Sequence, residues 1–253
     1  MNFASVPWLS IVIPIKDERD NLHPLTTQLL KTVGQFPESQ QAPFEIIFVN
    51  DGSTDGSGPI LDGLAAQYPE VRVLHLDRCY GQTAAFDAGF RYARAEIIAT
   101  MDGDLQYEPA DIATLLPHLQ EYDLVCGRRE RRLDHVVRRV SSRIAFWVRN
   151  AVVRDGITDT GCSLKLFRRA VVEQIPLFTG MHRFFPALAQ MYGFTVTEVP
   201  VRHFPRAHGQ SKYGIGNRLF AGLYDLIAVR WMQSRCYRFR IVRTSPDFRQ
   251  PHR

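Results

Sequence analysis

The stretch Ile97-Ile98-Ala99-Thr100-Met101-Asp102-Gly103-Asp104-Leu105-Gln106 most narrowly limits how this chain folds. An apolar, β-branched run stops abruptly at two aspartates separated by one glycine. That pattern marks a buried parallel strand whose carboxyl end opens on a crevice, the edge where ligands of open α/β sheets bind. Two adjacent carboxylates repel each other. A hard divalent cation such as Mg²⁺ or Mn²⁺ neutralises them and gains oxygen ligands. A strand ending in a plain Asp-Gly turn has the same local sequence, so the stretch alone leaves both readings open.

The surrounding chain repeats this design. Leu9 to Ile15 reads as a strand with Lys16-Asp17-Glu18 at its end, and Leu25 to Val33 as the helix after it. Phe44 to Val49 is a second strand leading into Asn50-Asp51-Gly52-Ser53-Thr54-Asp55, where Ser53 or Asp55 caps a helix over Pro59 to Tyr68. Val71 to Leu76 is a third strand, Gly81 to Arg94 a helix, Pro109 to Leu119 another, and Asp123 to Cys126 a strand ending at Gly127-Arg128-Arg129. Strands alternating with helices predict an α/β fold with a mostly parallel, twisted sheet flanked by helices. Neither GxGxxG nor GxxxxGK[ST] occurs, so neither familiar nucleotide loop is present.

Charge divides the chain. Residues 1–126 hold 7 Lys and Arg against 18 Asp and Glu, whereas residues 127–253 hold 24 against 8. An acidic half suits a metal and a base or sugar; a basic half suits phosphates, an anionic membrane surface or nucleic acid. Val137 to Val153 reads as a basic amphipathic helix. Val140, Ile144, Trp147, Val148 and Ala151 share one face, and Arg138, Arg139, Arg143 and Arg149 surround it. A core-facing helix and one lying on a membrane surface both fit. Thr195 to Val201 reads as a late strand and Gly216 to Gln233 as a last helix. The cysteines at 79, 126, 162 and 236 lack CxxC spacing, which predicts reduced thiols. Met1 to Pro7 does not read as a signal peptide, and no run reaches the ~18 apolar residues that span a bilayer. His182, His203 and His208 lack ligand spacing and read as surface or hydrogen-bonding residues.

Several motifs in order carry a family resemblance. Ser10-Ile-Val-Ile-Pro-Ile-Lys-Asp-Glu18, Val49-Asn-Asp-Gly-Ser-Thr-Asp55, Gly81-Gln-Thr-Ala-Ala-Phe86 and Asp102-Gly-Asp-Leu-Gln106 resemble the signatures of glycosyltransferase family 2. Asp159-Thr-Gly-Cys-Ser-Leu-Lys165, His203-Phe-Pro-Arg206 and Gly209-Gln-Ser-Lys-Tyr-Gly214 are similar to its polyprenyl-phosphate subgroup, typified by dolichol-phosphate mannosyltransferases. The resemblance implies a GT-A type nucleotide-diphospho-sugar transferase fold over residues 1–214. Residues 215–253 would form an amphipathic, membrane-surface helix and a basic tail.

Carried over by position, the resemblance implies that Pro14, Lys16, Glu18 and Asp51 line the base and ribose pocket. Asp102 would lie near the ribose and the Mg²⁺ or Mn²⁺, Asp104 would ligate that cation at the diphosphate, and Gln106 would sit beside the metal and the transferred sugar. Arg206, Ser211 and Lys212 would close over the donor, Arg128 and Arg183 would hold phosphate, and Asp159 would stand beside the acceptor as a base or as a carboxylate. The implied reaction moves a sugar from its nucleotide diphosphate to a polyprenyl (undecaprenyl or dolichyl) phosphate, with inversion. Lys16, Asp17 and Cys79-Tyr80 depart from the commoner family residues, which leaves base preference open.

Together these readings predict a cytoplasmic enzyme peripheral on the inner face of the cell membrane, beside a small membrane-protein partner. A soluble sugar or protein acceptor is the alternative. A nucleic-acid-binding protein is more remote: the arginines suit one, but no stacking platform or reading motif accompanies them.

Overall fold

Seven strands form one sheet in the order β3-β2-β1-β4-β6-β5-β7. They are β1 (Leu9–Ile15), β2 (Phe44–Asn50), β3 (Val71–His75), β4 (Ile97–Thr100), β5 (Leu124–Arg129), β6 (Lys165–Arg168) and β7 (Val196–Val201). The computed structural model describes residues 6–130, 149–205 and 215–237. Among the described residues six strands point the same way, and β6 runs antiparallel to them, between β4 and β5. Helices α1 (Leu22–Val33), α2 (Ser57–Gln67), α3 (Gln82–Tyr92) and α4 (Asp111–Leu115) fill the early crossovers. After β6 come α5 (Arg169–Gln174), α6 (Phe185–Met191) and, beyond β7, α7 (Ile215–Arg235).

The central strands are apolar along their whole length because both faces are covered. Leu9, Ile11, Ile13 and Ile15 of β1 pack into one core with α1 and α2, while Val12 faces a second core with α3 and α6. That second core is centred on aromatic rings: Phe86, Phe90, Phe167 and Phe185 make stacked, tilted and edge contacts with centroids 5.4–5.9 Å apart. Gly89 lets α3 lie close to the sheet, since a Cβ there would sit 2.2 Å from the Val12 side chain.

Near the opposite edge of the sheet from the crevice, Glu45 is buried at 1% exposure. Its carboxylate accepts from Ser10 Oγ (2.7 Å), Arg94 N (2.8 Å), Arg94 Nε (2.9 Å) and Arg72 Nη1 (2.9 Å). Burial alone would raise its pKa, but these hydrogen bonds outweigh burial and hold it below the ordinary 4.5. A lowered folded pKa means the stabilisation is complete above the ordinary value and is lost as pH falls through the folded one. Glu45→Gln is expected to lose about 2–3 kcal/mol at pH 7, the scale for removing a buried charged partner. Chemical unfolding should show the gap between mutant and wild type narrowing at pH 3.

Sequence patterning anticipates β1 to β5, β7 and the helices between the early strands. β6, α5 and α6 are additions that the structure makes, and they place a reversed strand beside β4.

Candidate active site

Reversing β6 has a functional consequence: its amino end meets the carboxyl end of β4, with Lys165 opposite Thr100. The turn before β6 therefore faces the Asp102-Gly103-Asp104 turn. Asp102 N donates to Ser163 Oγ (3.0 Å), and Thr100 Oγ1 donates to Ser163 O (2.7 Å). Gly103 is required by close packing, since a Cβ there would lie 2.5 Å from Ile15 Cδ1. Leu105 follows in the left-handed region at φ +60°, a conformation that costs a branched residue roughly 1 kcal/mol. Such strain collects at functional turns.

The ends of β1 and β2 are laced together. Asp17, left-handed at φ +49°, accepts from Thr54 N (2.7 Å), and Lys16 Nζ donates to Gly52 O (2.5 Å). Asp55 accepts from Ser57 N (3.0 Å) and Ser57 Oγ (2.6 Å) at the start of α2 and from Arg19 N (3.0 Å). Burial would raise the Asp55 pKa, but these bonds hold it below its ordinary value. α2 starts at Ser57, two residues before the expected Pro59, with Gly56 as its N-cap, and Asp55 holds the first helical amide from the residue before that cap. Pro14, Lys16 and Glu18 are half-buried along this rim, and Glu18 accepts from Asn21 Nδ2 (2.6 Å).

Asp51 is buried, and its carboxylate accepts from Tyr80 N (2.7 Å), Gly81 N (2.9 Å) and Cys79 Sγ (3.2 Å). The next residue, Gln82, donates through Nε2 to Asp102 Oδ1 (2.7 Å). One loop therefore links the β2 aspartate to the β4 aspartate. Asp104 is also buried, at 4% exposure, and accepts from Gln106 N (3.2 Å). Gln106 is tied by Nε2 to Phe204 O (3.2 Å), while Phe204 N donates back to Gln106 O (2.9 Å).

Asp102 opens on a cavity of about 400 Å³. Gln82, Ser163, Lys165, His182 and Arg183 line it, with Phe86 and Phe185 as its apolar part. Arg183 thus lines the same cavity as Asp102. Asp51 and Asp104 are not among the residues that line it. Lys165 is buried and donates to the Cys162 carbonyl. His182 belongs to this site although its spacing suggests nothing. Burial, then the charges of Arg183 and Lys165, press its pKa down to about 3, so the ring is neutral at physiological pH.

Asp159 is buried and held by Arg129, which donates Nε to Oδ2 and Nη2 to Oδ1, both at 2.7 Å, and its backbone N to Oδ2 at 3.1 Å. Burial would lower the arginine's pKa, but the hydrogen bond and charge of Asp159 raise it instead. The guanidinium also packs beside Gly161 in the cavity wall. Arg128, the neighbour that the motif selects, is exposed on β5. Arg149 departs from the expected basic face. It is half-buried in an ion pair with the buried Asp155 and sits 5.8 Å from the Phe184 ring, whereas Ala151 is exposed. A carboxylate in the following loop supplies the compensation that lets arginine turn inward. Arg206, Ser211, Lys212, His208 and residues 137–148 of the expected basic helix lie outside the described residues.

The donor set fits a hard cation. Asp102, Asp104 and Gln106 offer carboxylate and amide oxygens, and no cluster of three His, Cys, Asp or Glu exists among the described residues. A site with one or two carboxylates takes its other ligands from phosphates and water, as Mg²⁺ and Mn²⁺ sites do.

A sheet of this order with an Asp-Gly-Asp turn at the crevice end of a central strand defines a GT-A glycosyltransferase fold. Solved structures agree. Glucosyl-3-phosphoglycerate synthase from Mycobacterium tuberculosis, in complex with Mn²⁺, UDP and phosphoglyceric acid, matches with TM-score 0.65 at 17% identity, covering 91% of this chain and 78% of that one. A mannosyltransferase from Pyrobaculum calidifontis, in complex with GDP-Man and Mn²⁺, matches with TM-score 0.62 at 15% identity over 90% and 64% of the two chains. The chain belongs to glycosyltransferase family 2, whose model matches residues 10–176. It is 37% identical to a dodecaprenyl-phosphate galacturonate synthase of Rhizobium johnstonii over 87% of this chain, and spans 66% of that relative's length. It is 35% identical to an undecaprenyl-phosphate 4-deoxy-4-formamido-L-arabinose transferase of Edwardsiella ictaluri over 89% of this chain, and spans 69% of that relative.

Proposed function

We propose that this chain transfers a sugar from a nucleotide diphosphate to a polyprenyl phosphate, with a divalent cation and with inversion, at the inner face of the cell membrane. The observation that carries the reading is Asp102 opening on a cavity shared with Arg183 and Lys165. An anionic metal site beside cations suits a diphosphate leaving group, whose charge grows as the glycosidic bond breaks. Asp102, Asp104 and Gln106 would hold the Mg²⁺ or Mn²⁺, which supplies Lewis-acid stabilisation of that charge. Pro14, Lys16, Glu18 and Asp51 sit where the base and ribose would lie, with Asp51 shaping the loop beneath them. Arg183 stabilises phosphate from within the cavity, and Arg128, Arg206, Ser211 and Lys212 complete the donor and acceptor contacts. A phosphate monoester acceptor, with a second pKa of about 6, is largely dianionic at neutral pH and needs little help from a base. Asp159 then orients Arg129 rather than taking a proton.

The direct test is incubation with a panel of nucleotide sugars, undecaprenyl phosphate and Mg²⁺, with lipid products read by mass spectrometry. Absence of any glycosylated lipid across the panel rejects the acceptor class. Inversion is checked by NMR of the product, where the anomeric configuration should be opposite to the donor's.

Membrane attachment is supported by α7. Leu226 and Val229 dock it on the aromatic core, and Gln233 Nε2 donates to Val153 O (2.9 Å). Its other side presents Tyr224 (76% exposed), Ile227 (68%) and Trp231 (63%), with Arg230 exposed alongside. Large apolar groups with arginine suit an anionic lipid surface. No helix among the described residues is long and apolar enough to cross a membrane. The protein is expected to float with phosphatidylglycerol-containing vesicles at low salt. Ile227→Ser with Trp231→Ser should weaken that binding by about tenfold or more, given ~1.5–3 kcal/mol per large apolar side chain buried. Wild-type protein that stays in the soluble fraction rules out surface attachment.

A further inference from the structure

We propose that His182 is a binding residue for the transferred sugar, presenting a fixed Nε2–H donor to a sugar oxygen in the 400 Å³ cavity. This deepens the glycosyltransferase reading and rests on it.

The argument begins at Thr83, on the first turn of α3. Its Oγ1 accepts from Gly180 N (3.1 Å) and His182 N (3.4 Å). A hydroxyl has two lone pairs and one hydrogen, so both lone pairs are directed to backbone donors. The remaining hydrogen points at His182 Nδ1, 2.7 Å away. Nδ1 is therefore the acceptor. A neutral imidazole that accepts at Nδ1 carries its proton on Nε2. The ring is neutral because burial and the neighbouring cations Arg183 and Lys165 disfavour a further charge. Nε2 has no hydrogen-bond partner among the described residues, and the ring lines the cavity with Asp102, Gln82 and Arg183. A donor with its tautomer set from behind keeps one polarity and seeks an acceptor oxygen.

Position selects the sugar as the source of that oxygen. The cavity adjoins the β4 turn, which the proposed reaction gives to the diphosphate and metal, and Phe86 and Phe185 provide apolar surface for a ring's carbon face. Gly180, left-handed at φ +87°, forms the turn that brings His182 back onto Thr83. Three points fix the histidine: the Gly180 turn, the Thr83 hydroxyl and its own backbone amide.

The test uses the full chain labelled with ¹⁵N-histidine, with the His182 ring signals assigned by their loss in His182→Gln. Long-range ¹H–¹⁵N correlation at pH 7 should show the Nε2–H tautomer for His182, and Thr83→Val should abolish that pure pattern. Adding each nucleotide sugar of the panel should shift the Nε2–H signal for at least one donor, whereas UDP or GDP alone should leave it in place. In turnover, His182→Ala should raise the donor KM about tenfold with the acceptor KM unchanged. His182→Gln, which retains an N–H near the Nε2 position, should recover most of that loss. An Nδ1–H tautomer, an imidazolium, a shift caused by UDP or GDP alone, or no shift with any sugar donor overturns the assignment. So does a KM effect on the lipid phosphate instead of the donor. A glycosylated lipid formed at wild-type donor KM by His182→Ala would remove His182 while leaving the transferase reading intact. Donor-dependent shifts without lipid product would do the reverse.

Discussion

Asp104→Ala is expected to lower kcat/KM for sugar transfer by about 10³-fold or more while the protein remains folded. Removing a single preorganised charge-stabilising group costs about 10²–10³ in other acyl and phosphoryl sites, and a metal ligand carries the whole Lewis-acid contribution with it. Asp104 stands at the crevice end of β4, one residue beyond Gly103 and one before the left-handed Leu105, so its position is imposed by the turn. The hydrogen bond from Gln106 N that the change removes is itself on the scale of about 1 kcal/mol. Asp104→Asn should be nearly as inactive, because the amide keeps the shape and loses the charge that a cation needs. Mass spectrometry of lipid product, beside a melting curve from circular dichroism, separates the two effects. Full turnover in Asp104→Ala would take the metal out of the mechanism.

Asp159→Ala is expected to produce the largest loss of stability, about 3–5 kcal/mol, which is the scale for stranding one member of a buried ion pair. The partners are only 18% and 5% exposed, and the bidentate contact at 2.7 Å occupies both carboxylate oxygens. In a chain of this size the loss should lower Tm by about 10 °C. Replacing both partners with apolar residues, as in Arg129→Met with Asp159→Leu, should cost less than either single change. That coupling distinguishes a positioning role from a base. A base would lose turnover in Asp159→Asn with its melting temperature intact. A positioning residue loses stability first and activity through the displaced Arg129 beside Gly161. A double-mutant cycle with coupling below about 0.5 kcal/mol would show that the pair does not hold the wall.

The edge that the resemblance selects is the one where Asp102 lines a cavity, but resemblance and structure divide the arginines differently. Arg128 follows the motif yet faces solvent, while Arg129 turns inward because Asp159 meets it there. The same exchange occurs at Arg149, which periodicity assigns to a basic face and Asp155 draws inside. Periodicity assigns faces by hydrophobicity and cannot see a compensating carboxylate that arrives from a following loop. β6 escaped notice for a similar reason. Lys-Leu-Phe-Arg is four residues long with charged ends, too short for any period to register.

Local patterning in the amino-acid sequence determined the parallel strands β1 to β4 and the acidic turns that end three of them. Strands covered on both faces must be apolar throughout, and a turn at a crevice must carry its own polar groups. Tertiary structure alone decided which distant groups meet: Ser10 with Glu45, 35 residues on; Arg129 with Asp159, 30 residues on; Thr83 with His182, 99 residues on. These pairs have no spacing rule, because each is set by where two separate elements cross and by the cost of leaving a buried polar group unmatched. The reversal of β6 is the clearest case. Only the completed sheet puts Lys165 opposite Thr100, and with it the residues that line a cavity at an aspartate-bearing strand end.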